Sequence, residues 1–165
     1  RGWPVTVLGR DADDTFRAHL VRQFGAQYCS TRNINLAPPE IERDGYDLLL
    51  ECTGSDELLI DAAQAVRSLG VLVWLGSTRS PEPQPLEVAR MMRDGILRNH
   101  LHLGTVNSAR RDFRDALAHL ALLQQSHPTA LEALFTRRVP LNDAALWHYE
   151  HREPQGIKTI VTYEV

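Results

Sequence analysis

Apolar residues along this chain follow two rhythms. Short, nearly continuous runs, Val5-Thr6-Val7-Leu8, Leu48-Leu49-Leu50 and Val71-Leu72-Val73-Trp74-Leu75, alternate with longer stretches where apolar side chains return every three or four positions. The first rhythm belongs to strands covered on both faces and the second to amphipathic helices, so their alternation predicts an α/β fold. Residues 5–8 read as a strand stopped by Gly9. Asp13 or Asp14 is then the expected cap of a helix to Phe24, with Phe16, Leu20 and Phe24 on one side and Gly25 as its left-handed stop. Residues 27–30 read as a second strand, and 31–45, containing Pro38 and Pro39, as an irregular link. The strongest strand is 47–52. Asp56 should cap a helix that lines up Leu59, Ala62, Ala63, Val66 and Leu69, and Gly70 should end it before a strand at 71–75. Such a strand, helix and strand form a right-handed βαβ unit.

Pro81, Pro83 and Pro85 mark a loop before a short helix carrying Val88, Met91 and Met92. Residues 101–106 read as another strand. Ser108 is the expected cap of a long helix that turns Phe113, Ala116, Leu117 and Leu120 inward. Pro128 should open a short helix, Asn142 should cap another, and 157–165 should close the chain as a strand.

Strands and helices alternating at this spacing specify a doubly wound parallel sheet of the Rossmann-like kind. Ligands of such sheets collect beyond the carboxyl ends of the strands, where Thr53, Gly54, Gly76 and Ser77 fall. The pattern predicts a nucleotide-binding fold, yet no G-x-G-x-x-G turn occurs in the chain. The opening Arg1-Gly2-Trp3-Pro4 reads as the end of a helix turning into a strand. The expectation is therefore a fold that lacks its first strand and glycine-rich turn, which would lie in about twenty residues upstream, a βαβ unit taking about thirty. On this reading residues 1–165 are one cofactor-binding domain of a longer polypeptide.

A net charge of −3 without any block of like charge gives no general attraction to nucleic acid or to an anionic membrane, so neither is expected as a partner. No apolar stretch approaches the length of a membrane span. Cys29 and Cys52 sit in apolar contexts and read as buried free thiols in a reducing cytoplasm. His100 and His102, two apart on a strand, point the same way, but two ligands do not make a metal site and no further pattern completes one. No metal is expected here. No nucleophile elbow supports hydrolase chemistry.

Several segments resemble the nucleotide-binding, C-terminal half of the medium-chain zinc-dependent dehydrogenases, and most of all their archaeal-type glucose dehydrogenase branch. They are Val7-Leu8-Gly9-Arg10-Asp11, Glu51-Cys52-Thr53-Gly54, Trp74-Leu75-Gly76-Ser77, Gly104-Thr105-Val106-Asn107-Ser108 and Gly156-Ile157-Lys158-Thr159-Ile160, in the family's order across nearly the whole chain. The resemblance implies oxidation of an aldose at its anomeric carbon, hydride transfer to NAD(P), and a catalytic zinc held by another domain, toward which the closing strand at 157–165 packs. It implies no catalytic residue in this chain, which by itself is expected to be inactive.

The resemblance also implies roles for particular residues. Gly9, Arg10 and Asp11 close the strand whose end selects the cofactor; an arginine there suits the 2′-phosphate of NADP, while Asp11 in place of a second basic residue leaves NAD open. Thr53 and Gly54 approach the dinucleotide, Leu75, Gly76 and Ser77 wall the nicotinamide, Val106 and Asn107 meet nicotinamide and substrate, and Lys158 reaches the phosphates. The partners implied are a dinucleotide and a sugar or polyol substrate, in a cytoplasmic homo-oligomer. An alternative keeps the sheet without the chemistry: a non-catalytic nucleotide-binding or regulatory module whose open strand edge drives self-association.

Overall fold

The structure is a computed structural model that describes residues 2–32, 45–77, 87–141 and 156–163. The readings at Pro38 and Pro39, at Pro81 to Pro85, and at Asn142 lie outside these residues. In chain order the elements are β1 (Thr6–Gly9), α1 (Phe16–Gln23), β2 (Gln27–Ser30), β3 (Tyr46–Glu51), α2 (Asp56–Ala65), β4 (Val66–Trp74), α3 (Val88–Leu97), β5 (Leu101–Gly104), α4 (Arg110–Ser126), α5 (Pro128–Ala133), β6 (Phe135–Pro140) and β7 (Lys158–Thr162). The chain divides into two compact units, residues 31–108 and residues 1–30 with 109–165.

The unit of residues 31–108 holds a three-stranded sheet in the order β3-β4-β5, parallel throughout. Its core is Ala62, Ala63, Val66 and Leu72, with Leu49, Trp74 and Met91 packed against it. Small alanines on α2 let that helix lie close on the sheet, and Leu72, fully buried on the central strand, fills the space between. Helix α2 stops at Ala65, earlier than its apolar spacing predicts. Val66 already pairs with Tyr46, and Leu48 next pairs with Val71, so Arg67 to Gly70 bulge out of the ladder. Leu69 there has a positive φ of 65° and is exposed, not part of a helical face. Gly70 is needed at the bulge, because a Cβ would lie 2.6 Å from Val66 Cγ1 and 2.8 Å from the Arg67 carbonyl. Tertiary pairing overrode the helical rhythm here.

The other unit contains two parallel pairs, β1 with β2 and β6 with β7. Thr15, not Asp13 or Asp14, caps α1: its hydroxyl accepts from the Ala18 N–H at 3.4 Å. At α4 the cap position falls on Ala109, one residue past Ser108, and Asp112 Oδ2 accepts the Ala109 N–H at 2.7 Å. Strand β6 is absent from the sequence reading because Arg137 and Arg138 interrupt its apolar pattern. The expected inward face of α4 is exposed: Phe113, Leu117 and Leu120 are 64%, 68% and 43% exposed, and the helix buries no residue. Cys52 is likewise exposed, since it falls just past the last residue of β3.

All the described ladders are parallel, and α1, α2 and α3 connect β1 to β2, β3 to β4 and β4 to β5, the pattern of an α/β fold. They form three separate ladders among the described residues. One edge of β1 and one edge of β3 carry no partner strand among the described residues.

Candidate functional site

In parallel sheets the carboxyl ends of neighbouring strands lie along one edge, so β3, β4 and β5 present Thr53 and Gly54, Leu75 to Ser77, and Val106 and Asn107 side by side. The first two tips touch. Gly54 has a φ of +64°, and a Cβ on it would lie 2.5 Å from the Ser77 carbonyl oxygen; a Cβ on Gly76 would strike the Gly54 amide nitrogen. Both glycines are thus demanded by the mutual approach of two backbones. The third tip joins through the Thr105 N–H, which donates to the Trp74 carbonyl at 3.1 Å. Thr53, Leu75, Ser77, Val106 and Asn107 are all exposed along this edge.

Glu51, the last residue of β3, is the group the sequence reading passed over. It shares a strand face with Leu49, which packs on the apolar core, and is only 4% exposed. Its Oε1 accepts from the Thr53 N–H at 2.7 Å, the Thr53 hydroxyl at 2.5 Å and the Gly54 N–H at 3.1 Å, while Oε2 lies 3.2 Å from the same Gly54 N–H. Its backbone carbonyl accepts from the Leu75 N–H at 2.8 Å and the Gly76 N–H at 3.0 Å. A buried carboxyl group is costly unless its acceptors are filled, and hydrogen bonds to such a group contribute about 1.5–3 kcal/mol each. The signal was present in the sequence: a lone acid ending an apolar run, in phase with the buried positions. Desolvation first, and then the neighbouring Glu51 carboxylate, push the Cys52 thiol up.

In the other unit, Gly9 to Asp11 end β1. Gly9 is pinned by Tyr28 across the ladder: a Cβ would lie 2.5 Å from the tyrosine oxygen, and that hydroxyl donates to the Asp11 carbonyl at 3.0 Å. Burial, and secondly the Asp11 charge, push the Tyr28 hydroxyl up. Arg10 is exposed. The Asp11 carboxylate meets the Arg17 guanidinium at 3.4 Å, and the same guanidinium donates to the Gly156 carbonyl at 3.1 Å. Arg17 therefore links the β1 tip to the segment that leads into Lys158, which is exposed on β7. Tyr28 and Arg17 carry no sequence signal, because each acts through chain segments far away in the sequence.

His100 and His102 lie before and on β5 with their rings 5.8 Å apart and stacked, and the edge of Trp74 meets His102 at 6.1 Å. The Nε2 atoms of both rings are buried without a hydrogen-bond partner. Burial first, and for His100 also the Arg98 charge, holds both below the ordinary histidine value. Among the described residues no group of three or more His, Cys, Asp or Glu side chains is placed to hold a metal. No described helix is long and apolar enough to cross a membrane.

Parallel ladders, helical crossovers and single glycines at the strand ends define a Rossmann-like domain. The fold is similar to that of the glucose dehydrogenase of Haloferax mediterranei in complex with NADP, Zn and gluconolactone: 23% identity, TM-score 0.79, 98% of this chain and 44% of that one. The alcohol dehydrogenase of Thermotoga maritima is similar at 22% identity and TM-score 0.75, again over 98% of this chain and 44% of that one. In sequence, the glucose 1-dehydrogenase of Thermoproteus tenax is 29% identical over 90% of this chain and 42% of its own length. A glucose 1-dehydrogenase of Vulcanisaeta moutnovskia is 30% identical over 88% of this chain and 40% of its own. The chain belongs to the glucose dehydrogenase C-terminus family, which it matches over residues 1–163. It spans less than half the length of these relatives.

Proposed function

We propose that this chain is the cofactor-binding half of a sugar dehydrogenase that oxidises an aldose at its anomeric carbon and takes NADP as hydride acceptor. The family match over residues 1–163 carries this reading. It is supported by the three adjoining strand tips and by the exposed Arg10 at the end of β1.

The described residues suit a dinucleotide. The Arg10 guanidinium offers a fork of donors for a 2′-phosphate, and Asp11, engaged by Arg17, opposes that charge less than a free carboxylate would. Thr53, Gly54, Leu75, Gly76 and Ser77 form a wall with little side-chain bulk, against which a flat ring can lie. Val106 adds apolar surface. The Asn107 amide both donates and accepts, which fits a carboxamide or a sugar hydroxyl. Lys158 supplies a point charge for phosphate. Bound NADP supplies the acceptor: the aldose gives up a hydride from its anomeric carbon and a proton from its hydroxyl, leaving a lactone. Zinc belongs, on this reading, to another domain; the described residues offer no donor set for it.

Titration of the chain with NADP and NAD tests the proposal. Arg10→Ala should weaken NADP about ten-fold, or about 1.4 kcal/mol, and leave NAD within about two-fold. The chain alone should show no turnover. Absence of any dinucleotide binding, together with stable self-association, would favour a non-catalytic module instead.

A further inference from the structure

We infer that Glu51 is a positioning residue for the dinucleotide: its buried carboxyl group and its carbonyl together hold the β3 and β4 tips in the geometry that a bound cofactor requires. The inference rests on the cofactor reading above and extends it to a residue that would touch no ligand.

The register that buries Leu49 also buries Glu51, so the fold accepts an acid at a position where the strand pattern calls for an apolar side chain. A core position needs no carboxyl group. This one collects the two amides and the hydroxyl of the turn just beyond β3, which would otherwise point at solvent or at one another. The Gly54 backbone is thereby fixed at its positive φ.

The same residue also fixes the opposite wall. Its carbonyl takes the Leu75 and Gly76 amides as β4 leaves the ladder. A Cβ on Gly76 would lie 2.9 Å from Glu51 Oε2, so the carboxyl group also limits what can stand at that tip. Thr53, Gly54, Leu75 and Gly76 are thus held by a single residue, through its side chain on one side and its main chain on the other. Pre-organising both walls before binding removes an ordering cost that would otherwise be taken from affinity.

The test compares Glu51→Gln with the unsubstituted chain. Glutamine keeps the shape and one acceptor oxygen but, where the other oxygen stood, turns a donor toward the Gly54 N–H. We expect NADP to bind about ten-fold more weakly. Amide exchange in the free protein should speed up at Thr53 and Gly54 and stay unchanged at Leu72, a pattern that a general loss of stability would not produce. Equal NADP affinity in both proteins, or exchange accelerated alike at Leu72, overturns the inference. If the unsubstituted chain binds no dinucleotide although Thr53 and Gly54 are protected, the cofactor reading itself fails and the inference falls with it. Should Glu51→Gln not fold, Glu51→Asp carries the test: the shorter side chain keeps a carboxyl group but draws it back from the Thr53 and Gly54 amides, so NADP should bind several-fold more weakly with faster exchange at both amides, and parent-like binding would overturn the inference.

Discussion

Gly54 and Gly76 meet backbone to backbone, one just after β3 and the other just after β4, so closely that neither position has room for a methyl group. Gly76→Ala would drive its new carbon into the Gly54 amide. Overpacking of this kind costs about 1–3 kcal/mol, and at Gly54 a side chain would add the strain of a left-handed backbone, about 1–2 kcal/mol. Both variants should unfold at lower temperature, with Gly54→Ala at least as affected as Gly76→Ala. Thermal melts followed by circular dichroism decide it; a Gly54→Ala protein as stable as its parent would contradict this packing.

Tyr28 pins the tip of β1 from the neighbouring strand by contact with Gly9 and a hydrogen bond to the Asp11 carbonyl. Tyr28→Phe keeps the ring and removes the bond, at an expected cost of about 0.5–1.5 kcal/mol. Chemical denaturation should show the loss in midpoint with an unchanged slope. If Arg10 serves a 2′-phosphate, the looser tip should also weaken NADP more than NAD.

Arg17 occupies the Asp11 carboxylate. Arg17→Ala would leave that charge unopposed beside Arg10, and the expected result is a roughly two- to five-fold shift of preference from NADP toward NAD, the scale of an exposed ion pair. Paired titrations with the two dinucleotides measure it. The double variant Arg17→Ala with Asp11→Asn should restore most of the preference, which separates charge from packing.

His100 and His102 predict how stability depends on pH. Both are held below their unfolded-state value of about 6.5, chiefly by burial, so the folded state takes up protons less readily than the unfolded one. Their contribution is fully present above about pH 6.5 and is lost as pH falls from there through their folded values. Midpoints of urea unfolding should therefore drop on acidification through this window. His102→Asn should flatten the drop, and an unaltered profile in that variant would assign the effect elsewhere.

Much of the fold was legible in one dimension because it rests on local chemistry. The buried run of β3, Gly25 with its positive φ of 79°, Pro128 opening α5, and the short strand β2 each follow from rules that act within a few residues. The errors share a cause. Val66 and Leu69 fit a helical face, but pairing of Val66 with Tyr46 across the sheet drew that stretch into β4. The apolar stripe of α4 correctly announced a helix and did not say which surface would cover Phe113 and Leu117. β6 stayed hidden because its pairing with β7, not its own composition, makes it a strand.

The amino-acid order alone determined that this is an α/β chain with small residues at its strand ends, and which residues stand there: Thr53, Gly54, Gly76, Ser77 and Asn107. Only the tertiary structure decided what holds the strand ends in place: Glu51 for the tips of β3 and β4, and Tyr28 with Arg17 for the tip of β1. The physical reason is range. Strand and helix rhythm follow from each residue's near neighbours, whereas the link from Arg17 to Gly156, and the approach of Gly54 to Gly76, exist only after distant segments have been folded together.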